Sequence, residues 1–297
     1  MIATTVAVLA AAAGGAADRA AAQERDPLAR FVPVVVHDSR DTSPLTSVEA
    51  FAGEVPGVPD GRPEPTVYGR RAGRWLQYWM LFAAQDQDRG ILRTGRHAGD
   101  WEVVQYAVGA GTLVRGVYSQ HRGAERCPAS AIRTTARGRP LVFLANGSHA
   151  AYFVPGVRDR SFPDPNDEAD GKGARVRPRL VRITADSPPW MTYRGAWGGA
   201  DASWVPGEAD SPRGPAFQPR DRWRDPDAWA RSARSCTRER CNALGECDQV
   251  ETAIAGGLAL SGALLALIYG WRRSRRATAP EDADPDSPGA TPQPAGR

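Results

Sequence analysis

The chain has 297 residues, 41% of them hydrophobic, which is enough to bury the core of one large or two small domains. The formal charge of +4 and the pI near 9.1 come from arginines spread along the chain, with Lys172 as the only lysine. No basic helix or aromatic-basic repeat of a nucleic-acid module accompanies this charge, so we expect no nucleic-acid partner.

Residues 1–23 are typical of an export signal. An apolar start is followed by an Ala-rich run with Ala-x-Ala sites that end at Ala17 or Ala22, as in a secretory signal peptide. The residues ahead of the apolar run include no Lys or Arg. A disordered Ala-rich leader is therefore the alternative interpretation.

From residue 30 to residue 192, apolar runs of strand length alternate with turn-rich segments, and no stretch keeps helical periodicity for three turns. The pattern predicts an all-β fold, an antiparallel β-sandwich with long irregular loops. We expect those loops at 54–66 and 155–174, and a short helix at 47–53. The predicted strands are 31–37, 75–82, 101–108, 113–119, 141–145, 176–183 and 191–193.

Three of the four histidines, His97, His121 and His149, stand at the ends of apolar runs, beside small or carboxylate residues. Asp100 and Glu102 are two residues apart, so on a strand their side chains leave the same face. Three imidazoles and two carboxylates at one end of a sheet form the ligand set that borderline divalent metals prefer. The spacing therefore predicts a site for a divalent metal ion, zinc or similar.

We predict His97, Asp100, His121 and His149 as metal ligands and Glu102, which has the longer arm, as the general base. Asp100 binds the metal directly or orients a histidine ligand. Such a site would activate a water molecule for hydrolysis of an extracellular phosphoester or glycan-linked ester. A hydrogen-bonded polar network without metal is the alternative, since buried imidazoles and carboxylates need partners in either case.

Several blocks of the chain carry a family resemblance, and their residues are Leu76-Gln77-Tyr78-Trp79, His97-Ala98-Gly99-Asp100-Trp101-Glu102, Tyr118-Ser119-Gln120-His121 and Gly147-Ser148-His149-Ala150. These blocks resemble the signature of the Vps62 family. The resemblance extends roughly from residue 30 to residue 230. It implies kinship and names no reaction, although the family's name suggests trafficking or tethering as a further possible role.

The opening block of this resemblance, Pro33-Val34-Val35-Val36-His37-Asp38, departs from the family pattern just after its end. Ser39-Arg40-Asp41 stands where an acidic pair is commoner. We therefore leave this block, including His37, out of the predicted ligand set.

Tryptophans are concentrated in the Pro-rich segment 195–232, at Trp197, Trp204, Trp223 and Trp229. We expect these indoles to pin an irregular C-terminal segment onto the sandwich. The alternative is an aromatic platform for a sugar or lipid. Together with a metal, such a platform would make a non-catalytic cell-surface module that binds carbohydrate or lipid.

Four cysteines, Cys127, Cys236, Cys241 and Cys247, favour two disulfides in an exported chain, with three possible connectivities. If all four pair, Cys127 must meet one of the other three. That bond would tie the region after His121 to the segment ahead of the predicted membrane span.

Residues 252–271 carry no charged side chain and are numerous enough to span a bilayer, and Arg272, Arg273, Arg275 and Arg276 follow. By the positive-inside rule the C-terminus is cytoplasmic and the β-domain faces outward. The predicted organisation is a signal peptide (1–23), a Vps62-like ectodomain (24–232), a Cys-containing juxtamembrane segment (233–251), a single transmembrane helix (252–271) and a disordered cytoplasmic tail (272–297).

Overall fold

A computed structural model describes residues 26–87, 95–158, 166–199, 210–236 and 260–271. The chain divides into two units, 1–249 and 250–297. The predicted signal peptide lies outside the described residues.

The first unit is mostly β-sheet, as the apolar alternation predicts. Two short helices, α1 (Pro27–Arg30) and α2 (Pro226–Ser232), accompany the strands. In the described part of this unit the strands are β1 (Val34–Val36), β2 (Leu45–Thr46), β3 (Thr66–Ala72), β4 (Trp75–Gln85), β5 (His97–Gly109), β6 (Thr112–Gln120), β7 (Gly123–Pro128), β8 (Leu141–Leu144), β9 (Ala151–Tyr152), β10 (Gly156–Arg158), β11 (Asp167–Ala169), β12 (Arg175–Val176), β13 (Arg179–Arg182) and β14 (Arg234–Ser235).

The strands form a large sheet, a small sheet and a hairpin. The large sheet has the order β13-β3-β4-β5-β6-β7-β14, with β2 also paired to β4, and the small sheet has the order β12-β1-β8-β9. Strands β3 to β7 are antiparallel to one another, whereas β13 pairs with β3, β14 with β7 and β1 with β8 in parallel. The fold is thus β-rich, with parallel pairing at its margins.

Alternation along β4 gives the large sheet two buried faces. Leu76, Tyr78 and Met80 share a core with Val142 and Leu144 of the small sheet, so the two sheets pack face to face. Residues on the other face of β4 pack in a second core, whose other members include the tryptophans Trp101, Trp190, Trp197, Trp223 and Trp229. The site described below lies at one end of the space between the sheets.

Several strand predictions are confirmed and others are wrong. Segment 191–193 lies in a 3₁₀ turn, Pro189–Thr192, and the predicted loop 155–174 contains the β10–β11 hairpin. The predicted strand 176–183 is split into β12 and β13 around Pro178, which has no N–H to donate to a ladder. The short helix expected at 47–53 is a 3₁₀ turn, Val48–Phe51.

The C-terminal part of the first unit is pinned to the large sheet, as expected. Trp197, Trp223 and Trp229 are buried. A disulfide joins Cys127 at the end of β7 to Cys236, directly after β14. This confirms the predicted bond between Cys127 and the cysteines that precede the predicted span; Cys241 and Cys247 lie outside the described residues.

The second unit contains one described helix, α3, over residues 260–271. Within the described stretches, no helix has the length and apolarity that a membrane crossing requires. Residues 252–259 of the predicted span lie outside the described stretches.

Candidate functional site

The site forms where the start of β5 meets the turn after β8. Asp100 on β5 stands opposite Phe82 on β4, and the imidazole of His149 stacks on the Phe82 ring with centroids 3.9 Å apart. His149 reaches this position because the chain turns sharply after β8, with positive φ at Gly147 (65°) and His149 (52°). The turn places a buried imidazole between the two sheets.

Both ring nitrogens of His149 face carboxylates. Nδ1 lies 2.9 Å from an Asp100 oxygen. Nε2 lies 3.5 Å from an Asp41 oxygen, and this nitrogen has no hydrogen-bond partner among the described residues. The same Asp41 carboxylate contacts Nδ1 of His37 at 2.8 Å through its other oxygen. The chain of contacts His37, Asp41, His149, Asp100 is buried throughout, with side-chain exposures of 8% or less.

The carboxylates keep His149 charged. Burial alone lowers the pKa of its imidazole, but the hydrogen bond with Asp100 and the negative charges close to the ring, Asp100 and Asp41, outweigh burial and raise the pKa to about 9. Burial raises the pKa of Asp41, yet its contacts with His149 and His37 hold that pKa well below the usual value. At neutral pH His149 is therefore an imidazolium beside the Asp41 carboxylate.

Glu102 lies two residues further along β5 and is buried, 3% exposed. The pairing of β5 with β6 begins at Val104 and Tyr118, and beyond that point the Ser119 hydroxyl accepts from the Val103 N–H and donates to the Glu102 carboxylate. Burial and the negative charge of Asp100 raise the pKa of Glu102 to about 8, against the smaller opposing effect of Arg222. Glu102 is therefore mostly protonated at neutral pH.

Arg222 is a buried cation whose charge acts on Glu102 and Asp100. Its side chain is buried, and its guanidinium donates to the backbone carbonyl of His121. Burial lowers the pKa of Arg222, and the charges of Glu102 and Asp100 partly restore it. One buried arginine thus connects the end of β6 electrostatically to the start of β5.

His121 belongs to a neighbouring cluster built around Asp167. One Asp167 oxygen accepts from Gln87 Nε2 at 3.0 Å and from the Ser148 hydroxyl at 2.8 Å. The other accepts from the Tyr152 hydroxyl at 2.6 Å and lies 2.8 Å from Nε2 of His121. Because Ser148 directly precedes His149, the turn after β8 connects this cluster to the first.

The structure brings together only part of the predicted ligand set. Asp100 and His149 are in contact and Glu102 lies beside them, whereas His121 pairs with Asp167, and Nδ1 of His97 lies 2.7 Å from the Gly99 carbonyl. In the described part of the chain, one group places three potential ligand atoms of His, Cys, Asp or Glu within 4.8 Å of one another: Glu125, Cys127 and Cys236. Two members of that group form the disulfide, so it offers no metal site.

Three residues of the site are absent from the predicted ligand set. Asp41 follows the opening block, and its position four residues after His37 is the sequence signal that could have identified it. Asp167 lies in a segment predicted to be a loop, and Arg222 is one of many arginines, so no sequence signal marked either residue.

The three described tryptophans of segment 195–232 do not form the alternative aromatic platform. Trp197, Trp223 and Trp229 are 0%, 8% and 2% exposed, so they offer no open face for stacking on a sugar. Trp204 lies outside the described residues. The interpretation of these indoles as pins of the C-terminal segment is the one that their burial supports.

Comparison with protein-family models and with curated proteins finds no match. Similar solved structures include the non-toxic HaNLP3 protein, at 15% identity over 57% of this chain and 78% of that chain, with a TM-score of 0.35. A second is NLPPya in complex with glucosamine, at 13% identity over 53% of this chain and 74% of that chain, with a TM-score of 0.33. A third is Necrosis and Ethylene inducing Protein 2 from the causal agent of cocoa's Witches Broom disease, at 13% identity over 52% of this chain and 72% of that chain, with a TM-score of 0.32. TM-scores this low carry no argument, and the resemblance to the Vps62 family stays a prediction.

Proposed function

We propose that this chain is an exported, membrane-anchored, Vps62-like domain with a divalent metal site centred on Asp100, Glu102 and His149. The metal, zinc or similar, would support hydrolysis of an extracellular phosphoester or glycan-linked ester. The observation that carries the proposal is the burial of Asp100 and Glu102 beside each other and next to His149, with Asp41 as a third carboxylate. Buried negative charge of this density is compensated in proteins by a cation or by protons.

The residues present fit such a metal by donor type, but no three of their ligand atoms lie within 4.8 Å of one another, so metal binding would require these side chains to move closer together. Imidazole nitrogen and carboxylate oxygen are the ligands that zinc and similar ions take, and Nε2 of His149 is a buried atom without a hydrogen bond. Asp100 and Asp41 approach different ring nitrogens of His149. Metal binding therefore requires His149 to release its proton, because only the neutral imidazole is a ligand.

A bound divalent ion would act as a Lewis acid and lower the pKa of a nearby water. The charge of the ion would favour the deprotonated form of Glu102, and the Glu102 carboxylate would then accept the proton of the attacking water. Asp100 would bind the ion or orient His149. His97 and His121 stay predicted ligands, and His121 would have to leave Asp167 to take that role.

The disulfide supports export. Cys127 and Cys236 pair, and such bonds persist mainly in oxidising compartments. Export agrees with the predicted signal peptide and with the arginines that follow the predicted transmembrane helix. The single-pass anchor with an outward-facing domain remains a prediction.

A non-catalytic binding module is the second candidate, and the burial of Glu102 favours it. A side chain that is 3% exposed and bonded to Ser119 has little access to a substrate. In this version the metal would hold hydroxyl or carboxylate groups of a carbohydrate or lipid without turnover.

The test uses the full-length protein, purified in detergent, stripped with chelator and reloaded with zinc, manganese or magnesium. Hydrolysis of bis(p-nitrophenyl) phosphate and of p-nitrophenyl acetate is then measured for the wild type and for Glu102→Gln. The exposed Arg231→Gln variant is the control. Metal-dependent turnover that Glu102→Gln abolishes supports the hydrolase, metal binding without turnover supports the binding module, and the absence of metal binding contradicts both.

A further inference from the structure

A cavity of about 490 Å³ lies away from the carboxylate and imidazole cluster, at the edge of the large sheet. Its wall includes the charged residues Asp26, Arg70, Arg71 and Arg182 together with apolar side chains and the indole of Trp223. The volume is within the range of small-molecule sites, about 300 to 1,000 Å³. Neither the predicted metal ligands nor Glu102 line it.

The cavity exists because β13 is shorter than β3. The two strands pair in parallel from Arg179 opposite Thr66 to Arg182 opposite Gly69, and then β13 ends. Ile183 donates its N–H to the Gly69 carbonyl at 3.0 Å. Alternate residues of a strand direct their peptide groups to the same side. The N–H of Arg71, two residues after Gly69, therefore points to the side where β13 pairs with β3, but beyond the end of β13. The open edge of β3 thus adds a peptide donor to the cavity wall.

The charged groups of this wall are unbalanced. The lining contains one carboxylate, Asp26, and three guanidinium groups. Asp26 pairs with Arg182 and accepts a hydrogen bond from the N–H of Leu28. Among the described residues, neither Arg70 nor Arg71 has a carboxylate within ion-pair distance. The formal charge of the lining is therefore +2, three arginines less one aspartate.

Arg70 is held rigidly while keeping hydrogen-bonding capacity. Its Nε donates to Gln77 Oε1 at 2.7 Å, one terminal nitrogen donates to the Trp223 carbonyl, and its Cζ lies 3.5 Å from the centroid of the Trp223 ring. Burial lowers the pKa of Arg70 to about 10, so the group stays charged at neutral pH. A guanidinium fixed by neutral partners, whose second terminal nitrogen has no hydrogen-bond partner among the described residues, is preorganised for an oxyanion.

We propose that this cavity binds a phosphate monoester, with the phosphate group on Arg70 at the open edge of β3 and the organic part against the apolar wall. Arg71, the next residue of β3, adds positive charge from the other face of the strand. A phosphate monoester carries a charge close to −2 at neutral pH, which matches the charge of the lining. Leu28, Leu76 and Ile183 supply the apolar wall. This site is independent of the proposed metal site, because it uses none of the same side chains.

The test is isothermal titration calorimetry of the full-length protein at about pH 7.5 and constant ionic strength, where a phosphate monoester is mostly dianionic. The probes are phenyl phosphate, inorganic phosphate and phenyl sulfate, which has the shape of phenyl phosphate and one charge fewer. A soluble short-chain phosphatidic acid is the fourth probe. Whether it or phenyl phosphate binds more tightly decides between a lipid and a soluble source, and either order supports the phosphate site.

We expect Arg70→Gln to weaken phenyl phosphate binding at least about tenfold, the size of a lost hydrogen bond to a charged group. Arg71→Gln, an exposed change that leaves the core intact, should weaken it about threefold. Arg231→Gln makes the same charge change outside the cavity and should leave binding within about twofold of wild type. A Kd for phenyl phosphate weaker than about 1 mM, unchanged binding in both cavity variants, or equal affinity for phenyl sulfate would overturn the proposal.

Discussion

His149 and Asp100 meet at 2.9 Å in a buried contact between the turn after β8 and the start of β5. The two residues are 49 positions apart in the chain, and each stands in a block of the resemblance to the Vps62 family. Their contact joins the two sheets at the candidate site.

The first prediction separates the roles of the two carboxylates on β5. Glu102→Gln should leave metal binding within about threefold of wild type while abolishing turnover, because the amide cannot accept a proton. Asp100→Asn should weaken metal binding at least about tenfold, because a neutral ligand replaces a charged one. Metal affinity by calorimetry and hydrolysis rates measure the two effects. Loss of the metal in Glu102→Gln would reverse the assignment.

The second prediction concerns the pH dependence of stability in the metal-free protein. The pKa of His149 is raised from 6.5 to about 9 in the folded state, so its contribution is fully present below pH 6.5 and is lost as the pH rises through 9. The free energy of unfolding should therefore fall across this window, by a few kcal/mol at most. Urea unfolding at a series of pH values measures the slope.

His149→Gln is the matched variant for this measurement. It should flatten the slope between about pH 8 and pH 9, while the pKa of Glu102, which is raised from 4.5 to about 8, leaves a decline of the same sign between about pH 4.5 and pH 8. A wild-type slope that persists unchanged in His149→Gln would show that the imidazole is neutral in the folded protein.

The third prediction uses two glycines with similar backbone angles. Gly99 (φ 63°) precedes Asp100, and a Cβ there would clash with the backbone carbonyl of Trp197, whereas Gly73 (φ 59°) has no atom within 4 Å of that position. Gly73→Ala should cost about 1 kcal/mol from backbone strain alone. Gly99→Ala should cost at least about 2 kcal/mol more, and should weaken metal binding by displacing Asp100. Equal losses of unfolding free energy in the two variants would contradict this prediction, because they would mean that Trp197 moves aside at no energetic cost.

The fourth prediction concerns the disulfide, which joins residues 109 positions apart. A loop of that length corresponds to about 5 kcal/mol of stability in the chain-entropy account, so the double variant Cys127→Ser, Cys236→Ser should unfold at markedly lower urea concentration. In intact cells without reductant, Cys127 and Cys236 should resist thiol labelling. Full reactivity of all four cysteines would contradict export to an oxidising compartment.

Much of the fold could be predicted from the sequence because alternation and apolar runs are local signals. Strands β4, β5, β6 and β8 coincide with predicted strands to within a few residues. Strand β3 was missed because Gly69, Arg70 and Arg71 interrupt its apolar pattern, and those residues are tolerated because they lie at a sheet edge beside a cavity. Local sequence patterns do not indicate the position of a strand within its sheet.

The candidate site could be predicted only in part, for a related reason. The spacing of Asp100 and Glu102 fixes their common face, and the turn residues around His149 are recognisable from the sequence. The partners Asp41 and Asp167 come from distant segments that the fold brings together. Which histidine meets which carboxylate depends on that packing, and so His121 and His149 have different partners.

The central claim is tested most directly by the metal content of the purified full-length protein, measured by elemental analysis after exchange into metal-free buffer. We predict about one divalent ion per chain in the wild type and less than about a tenth of that in the double variant Asp100→Asn, His149→Gln. Arg231→Gln, which changes an exposed charge far along the chain, should keep the wild-type content. A wild-type protein without a divalent ion, before and after incubation with zinc, manganese or magnesium, would contradict the account and leave the buried contacts of His149 as a purely structural network.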